Sequence, residues 1–169
     1  IGLIYDSERR GDHRVRYSAN YGPVTASSGE VGGIVGNGKS SRMIIERSAN
    51  YGDIAGGAKV SRVGGIAGSM GQDPGGITLG ENMELAYCCN RGTISSGNFE
   101  SFAGGLLGYQ EEGNQSDASH WMTHDCYNMG PVTTDQHEDN GGIIGCVDHY
   151  AEIRYCINVG KVAAVSYTH

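Results

Sequence analysis

Residues 126–132 read Cys-Tyr-Asn-Met-Gly-Pro-Val, and the centre of this segment, Asn-x-Gly-x-(Val/Ile), occurs five times along the chain. The five asparagines are Asn20, Asn50, Asn90, Asn128 and Asn158, and the glycines two residues after them are Gly22, Gly52, Gly92, Gly130 and Gly160. Successive asparagines are 30, 40, 38 and 30 residues apart. Self-similarity at a period of about 20–50 residues is typical of stacked repeat architectures.

A second pattern, Gly-Gly-apolar-x-Gly, occurs four times between the asparagine motifs. The second glycines of these pairs are Gly33, Gly65, Gly105 and Gly142. The distance from each asparagine to the following pair is nearly constant, whereas the distance from the pair to the next asparagine varies. The extra residues enter at 71–82 and 111–119, and their Gly, Asp, Gln and Ser content predicts two surface loops.

The apolar runs are short and rich in β-branched residues, for example Ile34-Val35 and Ile143-Ile144. Glycine in a helix interior costs about 1 kcal/mol, and no long stretch keeps a helical apolar pattern. These features predict an all-β β-solenoid of about five coils with two loop insertions. The alternative is a set of β-hairpins packed as a sandwich.

Stacked coils lie about 4.8 Å apart, so equivalent side chains lie above one another. The repeated asparagines are therefore expected to form a hydrogen-bonded ladder. We expect left-handed backbone at the Asn-x-Gly corner, because both residue types tolerate it. The Gly-Gly pair predicts a close approach between backbones.

Two further positions repeat with the asparagines and suit the interior of the coil. The position five residues before each asparagine holds Val15, Ile45, Leu85, Thr123 and Ile153, and the position two residues before it holds Ser18, Ser48, Cys88, Cys126 and Cys156. We expect a mostly reduced thiol stack, with one disulfide between neighbouring coils as the alternative.

Composition excludes several classes of protein. Glycine makes up 29 of the 169 residues without a strict third-residue period, which excludes collagen. The net charge of −7 argues against a nucleic-acid partner, since phosphate binding needs a basic face. No run of about 18 apolar residues occurs, so no membrane-spanning helix is expected.

The length fits one repeat domain over residues 1–169. Its units are a partial repeat at 1–14, repeats at 15–44, 45–84, 85–122 and 123–152, and a partial repeat at 153–169. Gly2-Leu3-Ile4 matches the second half of a Gly-Gly motif, and neither end has the polar cap that a terminal repeat needs. We therefore expect a segment of a longer array.

Three stretches match functional patterns without their usual context. Residues 33–40 fit the phosphate-loop formula, but no core strand precedes them and no helix is predicted after them. His120 and His124 have the i, i+4 spacing of metal ligands, but their flanks argue against a helix. The acidic segment 135–140 suits Ca²⁺ or a solvated turn. We expect no catalytic residue, no bound cofactor and no metal: a solvated turn is the expectation at 135–140, with a calcium site as the alternative.

Aromatic residues also repeat, because Tyr17, Tyr87 and Tyr155 each lie three residues before an asparagine. Rows of aromatic rings can stack on sugars, which makes these three side chains candidate ligand contacts. The alternative is an aromatic stack that shields the wall of the solenoid.

The combination of Cys-Tyr-Asn-x-Gly-x-Val with Gly-Gly-Ile-Ile-Gly resembles the GLUG repeat family, and residues 105–108 carry its Gly-Leu-x-Gly form. The resemblance extends from Gly2 to Val162. It implies a surface-exposed β-rich region of a large secreted or cell-surface bacterial protein, either adhesin-like or attached to an immunoglobulin A-cleaving metallopeptidase. It implies no catalytic residues.

The sequence thus predicts a non-catalytic structural or adhesive region that acts as a rigid spacer or a fibre-forming scaffold. The alternatives are a glycan-binding module and a support domain of a large secreted peptidase. The expected partners are other repeats, copies of the same chain, and host or matrix glycans or proteins. The expected location is extracellular, secreted or at the bacterial cell surface.

Overall fold

A computed structural model describes residues 1–5, 12–40, 42–71, 82–97, 101–111, 120–135, 139–148 and 151–164. These residues form 22 short strands and no helix. The strands, numbered in chain order, lie in four parallel sheets that we call walls 1 to 4. The chain visits the walls in the same order in every coil, which gives a β-solenoid of about four turns, with five stacked levels of strands that we count as five coils.

Walls 1 and 2 follow each other along the chain. Wall 1 contains β1 (Leu3–Tyr5), β5 (Val35–Lys39), β9 (Ala67–Gly71), β14 (Leu107–Gln110) and β19 (Ile144–Val147). Wall 2 contains β2 (Asp12–Arg16), β6 (Arg42–Glu46), β10 (Asn82–Ala86), β15 (His120–His124) and β20 (Glu152–Arg154).

Walls 3 and 4 complete each coil. Wall 3 contains β3 (Ala19–Asn20), β7 (Ala49–Asn50), β11 (Cys89–Asn90), β16 (Tyr127–Asn128) and β21 (Ile157–Asn158). Wall 4 contains β4 (Val24–Gly32), β8 (Ile54–Gly64), β12 (Ile94–Ser96), β13 (Phe102–Gly104), β17 (Val132–Thr134), β18 (Asn140–Gly141) and β22 (Val162–Ala164). In the third and fourth coils two short strands replace the long strand of this wall.

Equivalent residues of the repeats are in register. Asn90 pairs with Asn50 on one side and with Asn128 on the other, and every strand pair that the structure describes is parallel. Hairpins would give antiparallel pairs. The prediction of a β-solenoid is therefore confirmed, and the alternative of a hairpin sandwich is wrong.

The apolar interior consists of two clusters. The larger cluster lies between walls 1 and 2 and includes Val35, Met43, Leu85, Leu106 and Trp121. The smaller cluster lies along wall 4 and is formed by Val31, Ile54, Val60, Val63, Ile94, Ala103 and Val132. Each coil contributes a few residues to each cluster, so the coils bury their apolar faces by stacking.

Two columns of glycines bring backbones into contact. A Cβ atom built on Gly92 would lie 1.9 Å from the carbonyl oxygen of Gly52, and Gly52, Gly130 and Gly160 have the same relation to the preceding coil. A Cβ on Gly65 would lie 2.2 Å from the carbonyl oxygen of Gly105. The predicted close approach at the Gly-Gly pair is confirmed, and no side chain fits in either column.

The expected left-handed backbone at the Asn-x-Gly corner is wrong. Positive φ angles occur instead three residues before the asparagines, at Tyr17 (53°), Arg47 (50°), Tyr87 (53°), Asp125 (51°) and Tyr155 (51°). Among the glycines that the structure describes, Gly29 has a positive φ angle, of 83°. The glycines after the asparagines are required by contact with the preceding coil and not by their torsion angles.

Replacing Gly92 by alanine is expected to destabilise the fold by about 3 kcal/mol, because the added methyl group forces neighbouring coils apart. Gly97→Ala is the matched control, since its nearest atom would be 3.7 Å away. We expect it to leave stability unchanged or to raise it by up to about 1 kcal/mol. Urea denaturation measures both. Equal effects of the two substitutions would contradict the steric role of the glycine column.

Candidate functional site

The five repeated asparagines form a single ladder of side-chain hydrogen bonds. The Nδ2 of each of the first four donates to the Oδ1 of the asparagine in the next coil, at 2.7 Å from Asn20 to Asn50 and 2.8 Å for the other three steps. Each Nδ2 also donates to the carbonyl oxygen of the glycine two residues later, at 2.7–2.9 Å.

The three central asparagines of the ladder are buried, and their amide groups have all the hydrogen-bond partners that they need. Asn50, Asn90 and Asn128 are fully buried, so each amide group needs partners for both its hydrogens and its oxygen. The stacked coils supply all of them. The second glycines of the Gly-Gly pairs lie against the same amides: a Cβ on Gly65 would be 2.4 Å from Asn90 Cγ. The fourteen repeat residues singled out in the sequence therefore form one structure, the ladder between two glycine columns.

The candidate ligand contacts lie at the corner between walls 2 and 3. Tyr17, Arg47, Tyr87, Asp125 and Tyr155 occupy the same position in five successive coils, and we call them the corner column. The tyrosine side chains are largely exposed, at 70%, 50% and 79%. Their rings do not form the continuous aromatic stack considered as the alternative, because Arg47 and Asp125 lie between them.

Backbone strain distinguishes the corner column from other exposed positions. A residue other than glycine in the left-handed region costs about 1–2 kcal/mol, with Asn and Asp the best tolerated. Three tyrosines and an arginine adopt it here. Glycine or asparagine would make a more stable corner, and burial does not compensate because the rings are exposed. Strain of this kind is most often found at functional sites.

Neighbouring charges and rings contact the corner column. The Arg47 guanidinium carbon lies 5.8 Å from the ring centre of Tyr17 and 5.5 Å from that of Tyr87. The Tyr87 ring meets His124 edge-on at 5.4 Å. Each cation–π contact at an exposed site is worth about 0.5–1 kcal/mol, which offsets part of the strain.

His124 is held between two carboxylates. Its Nδ1 lies 2.8 Å from Asp125 Oδ2 and its Nε2 lies 3.1 Å from Glu84 Oε1. Burial lowers the pKa of the imidazole, but the hydrogen bonds to Asp125 and Glu84 outweigh it and raise the pKa above 6.5. Both nitrogens donate in the protonated ring, so this geometry favours the imidazolium.

Sequence reasoning missed a charged cluster that joins walls 4 and 1. Arg62 Nη1 binds both Glu30 and Glu111, and Ser69 Oγ donates to Glu30 Oε2 at 2.9 Å. The Arg62 guanidinium lies 4.3 Å from the ring centre of Tyr109. Burial, followed by a hydrogen bond with Asp148, raises the pKa of Tyr109 to about 12. No motif marked these residues, because equivalent repeat positions hold different residue types: Glu30 pairs in register with Arg62, and Ser69 with Tyr109.

The cysteines of the interior column are free thiols, as are the other two. Cys88 and Cys126 are fully buried, and the backbone N–H of Cys88 lies 3.2 Å from Cys126 Sγ. The hydrogen bond to Cys88 and burial both raise the pKa of the Cys126 thiol. Such thiols are unreactive. The expectation of a mostly reduced stack agrees with this arrangement.

The three stretches with functional patterns are accounted for in part. Most of residues 33–40 lie in β5, with no helix after them, so the phosphate-loop match has no phosphate-binding geometry. His120 and His124 lie on a strand. Residues 136–138 of the calcium candidate and nearly all of the loops at 71–82 and 111–119 lie outside the described residues. Within the described part of the chain, no three His, Cys, Asp or Glu side chains cluster as metal ligands would.

A small cavity lies between walls 1 and 2. It has a volume of about 10 Å³ and is lined by Met70, Met83, Leu85, Leu107, Gln110, Trp121, Met122 and Thr123. That volume is near the minimum for one water molecule. The cavity is therefore too small for a cofactor.

Asn90→Asp is expected to destabilise the fold at pH 7 by about 3 kcal/mol or more, because a buried carboxylate cannot donate to Gly92 or Asn128. Burial raises the pKa of the new carboxyl in the folded state above the unfolded value of about 3.9. The destabilisation should therefore diminish as the pH falls through the folded-state pKa. Urea denaturation between pH 3 and pH 7 measures it.

Asn158→Asp is the matched control for this change, because Asn158 is exposed and donates to Gly160 without a described asparagine beyond it. We expect a loss below about 1 kcal/mol. A loss as large as that of Asn90→Asp would show that the buried ladder is not the origin of the effect.

The His124 arrangement makes stability depend on pH. A raised pKa in the folded state contributes stability below pH 6.5, and this contribution is lost as the pH rises through the folded-state pKa. Glu84→Gln should reduce the slope in that range. Urea midpoints from pH 5 to pH 9 together with an NMR titration of His124 test this, and an unchanged slope in the variant would refute it.

The chain was also compared with known proteins. No family model matches it, and no curated protein or solved structure shows significant similarity to it. No helix in the described residues is long and apolar enough to cross a membrane. What the chain does is therefore inferred from its own geometry.

Proposed function

We propose that this chain is a non-catalytic structural or adhesive repeat region that serves as a rigid spacer or a fibre-forming scaffold. The observation that supports it best is the asparagine ladder, which runs through all five coils without a break. A solenoid that acts as a spacer needs the same contact between every pair of neighbouring coils, and the ladder supplies it.

Rigidity follows from three kinds of contact between neighbouring coils. Backbone hydrogen bonds join neighbouring coils within each of the four walls, and the amide ladder joins them in the interior. The glycine columns leave no space for neighbouring coils to move closer together. Stability in such arrays is approximately the sum of the contributions of the units and their interfaces. A further coil with the same motif, from the same chain or from another copy, would offer the same donors and acceptors.

The proposed location rests on the resemblance to the GLUG repeats, which implies a secreted or cell-surface bacterial protein. The exposed tyrosines of the corner column support the adhesive part of the proposal, because Tyr is favoured at binding surfaces. Adhesion through repetition needs little affinity for each contact, since several weak contacts act together.

Rigidity is tested by replacing Tyr21 and Val159 with a keto-bearing amino acid and attaching a spin label to each keto group. These two residues follow the first and last asparagines of the ladder. Four coil spacings separate these positions, or about 19 Å along the axis. Pulsed electron resonance should give one narrow distance distribution. A distribution as broad as that of the urea-unfolded chain would overturn the proposal of a rigid spacer.

Two further measurements test the adhesive role and the non-catalytic role separately. Beads that carry the chain should be retained under flow on surfaces coated with matrix proteins or polysaccharides, and beads without the chain should not. Chromatography of the coating should detect no released fragments. Released fragments would overturn the non-catalytic role, and equal retention of both kinds of bead would overturn the adhesive role.

A further inference from the structure

We propose that the corner column binds an extended β-1,4-linked polysaccharide that lies along the solenoid axis, with one sugar ring at each coil. The inference rests on the adhesive role proposed above and names its ligand class. It follows from the spacing, the exposure and the alternating chemistry of Tyr17, Arg47, Tyr87, Asp125 and Tyr155.

The spacing of the column suits this ligand. Neighbouring coils are about 4.8 Å apart, so the tyrosines at alternate coils repeat at about 9.6 Å. An extended β-1,4-linked chain advances by a similar distance for every two sugar rings, and therefore by about one coil spacing for each ring. Its rings turn by half a rotation at each step, so every second ring presents the same face. Three tyrosines at alternate coils therefore meet three equivalent rings.

The chemistry of the column alternates in the same way. Tyrosine offers an apolar ring to the C–H face of a sugar, together with a hydroxyl group. Between the tyrosines, Arg47 has five N–H donors and Asp125 has acceptor oxygens for the hydroxyl groups of the intervening rings. The two side chains are 55% and 39% exposed.

Neighbouring groups balance the charge of the column. Glu46 lies 4.0 Å from Arg47, and His124 binds the Oδ2 atom of Asp125. The column therefore has little net charge where the ligand would lie. A neutral polysaccharide matches this surface better than a strongly acidic one.

A second pair of exposed tyrosines provides a contrast. The rings of Tyr21 and Tyr51 stack face to face, with centres 4.9 Å apart and planes 3° apart. Each ring covers one face of the other, and Arg91 lies 5.8 Å from the centre of the Tyr51 ring. Tyr21 and Tyr51 are exposed, at 77% and 42%, but they lie outside the corner column and their facing surfaces are closed to a sugar, so the pair supplies the control positions.

The test is calorimetric titration of the chain with cellohexaose, mannohexaose and N-acetylated chitohexaose, and with maltohexaose as the α-1,4-linked control. At least one β-1,4-linked hexasaccharide should bind at least tenfold more tightly than maltohexaose. The triple variant Y17N/Y87N/Y155N should lose at least tenfold in affinity. It should also melt at the same or a higher temperature, because asparagine relieves the left-handed strain. The control variant Y21N/Y51N should bind as the unchanged chain does.

Three results would overturn the proposal: no β-1,4-linked hexasaccharide binds, maltohexaose binds equally well, or the triple variant retains its affinity. The spin-label distances distinguish failure of this inference from failure of the proposed function. A narrow distribution without sugar binding leaves the scaffold intact and removes the polysaccharide. A broad distribution contradicts the scaffold itself.

Discussion

The hydrogen bond from one asparagine side chain to the next is the interaction on which the rest of this structure depends. It fixes which residue lies above which, because a shift by one position would place a buried amide opposite a group that cannot pair with it. The glycine columns on either side have the same effect through steric contact, since any side chain there would collide with backbone or with an amide. Register is therefore determined inside the coil, and the outer surface is free to vary.

This freedom explains why strain is tolerated at the corner between walls 2 and 3. The corner needs a left-handed residue in every coil, and the ladder three residues later holds the backbone in place whatever side chain occurs there. Bulky residues such as Tyr87 and Arg47 therefore persist at a position where smaller ones would give a more stable fold. Their side chains are exposed on the outer surface of the solenoid, where a ligand can contact them.

Much of the fold could be predicted from the sequence, because the regular spacing of Asn50, Asn90 and Asn128 leads directly to stacking and to the ladder. The left-handed position could not be found in this way. Tyrosine gives no signal for positive φ, and the adjacent Asn-x-Gly motif gives a misleading one. The cluster around Arg62 was also beyond prediction, since Glu30 and Arg62 share a repeat position but not a residue type, and Glu111 joins them from the end of wall 1. The lengths of the strands in wall 4 also vary from coil to coil, and the repeat motif does not specify them.

The direction of the ladder has an electrical consequence. The Nδ2 groups of Asn20, Asn50, Asn90 and Asn128 each donate towards the next, more C-terminal coil, so the dipoles of these amides are aligned and add together, as peptide dipoles do in a helix. Backbone dipoles in a sheet largely cancel, so among the amide groups of the molecule those of the ladder contribute an uncancelled dipole along the axis. Alignment also lets each amide polarise the next. The ladder is thus a row of aligned permanent dipoles, with its positive end on the C-terminal side.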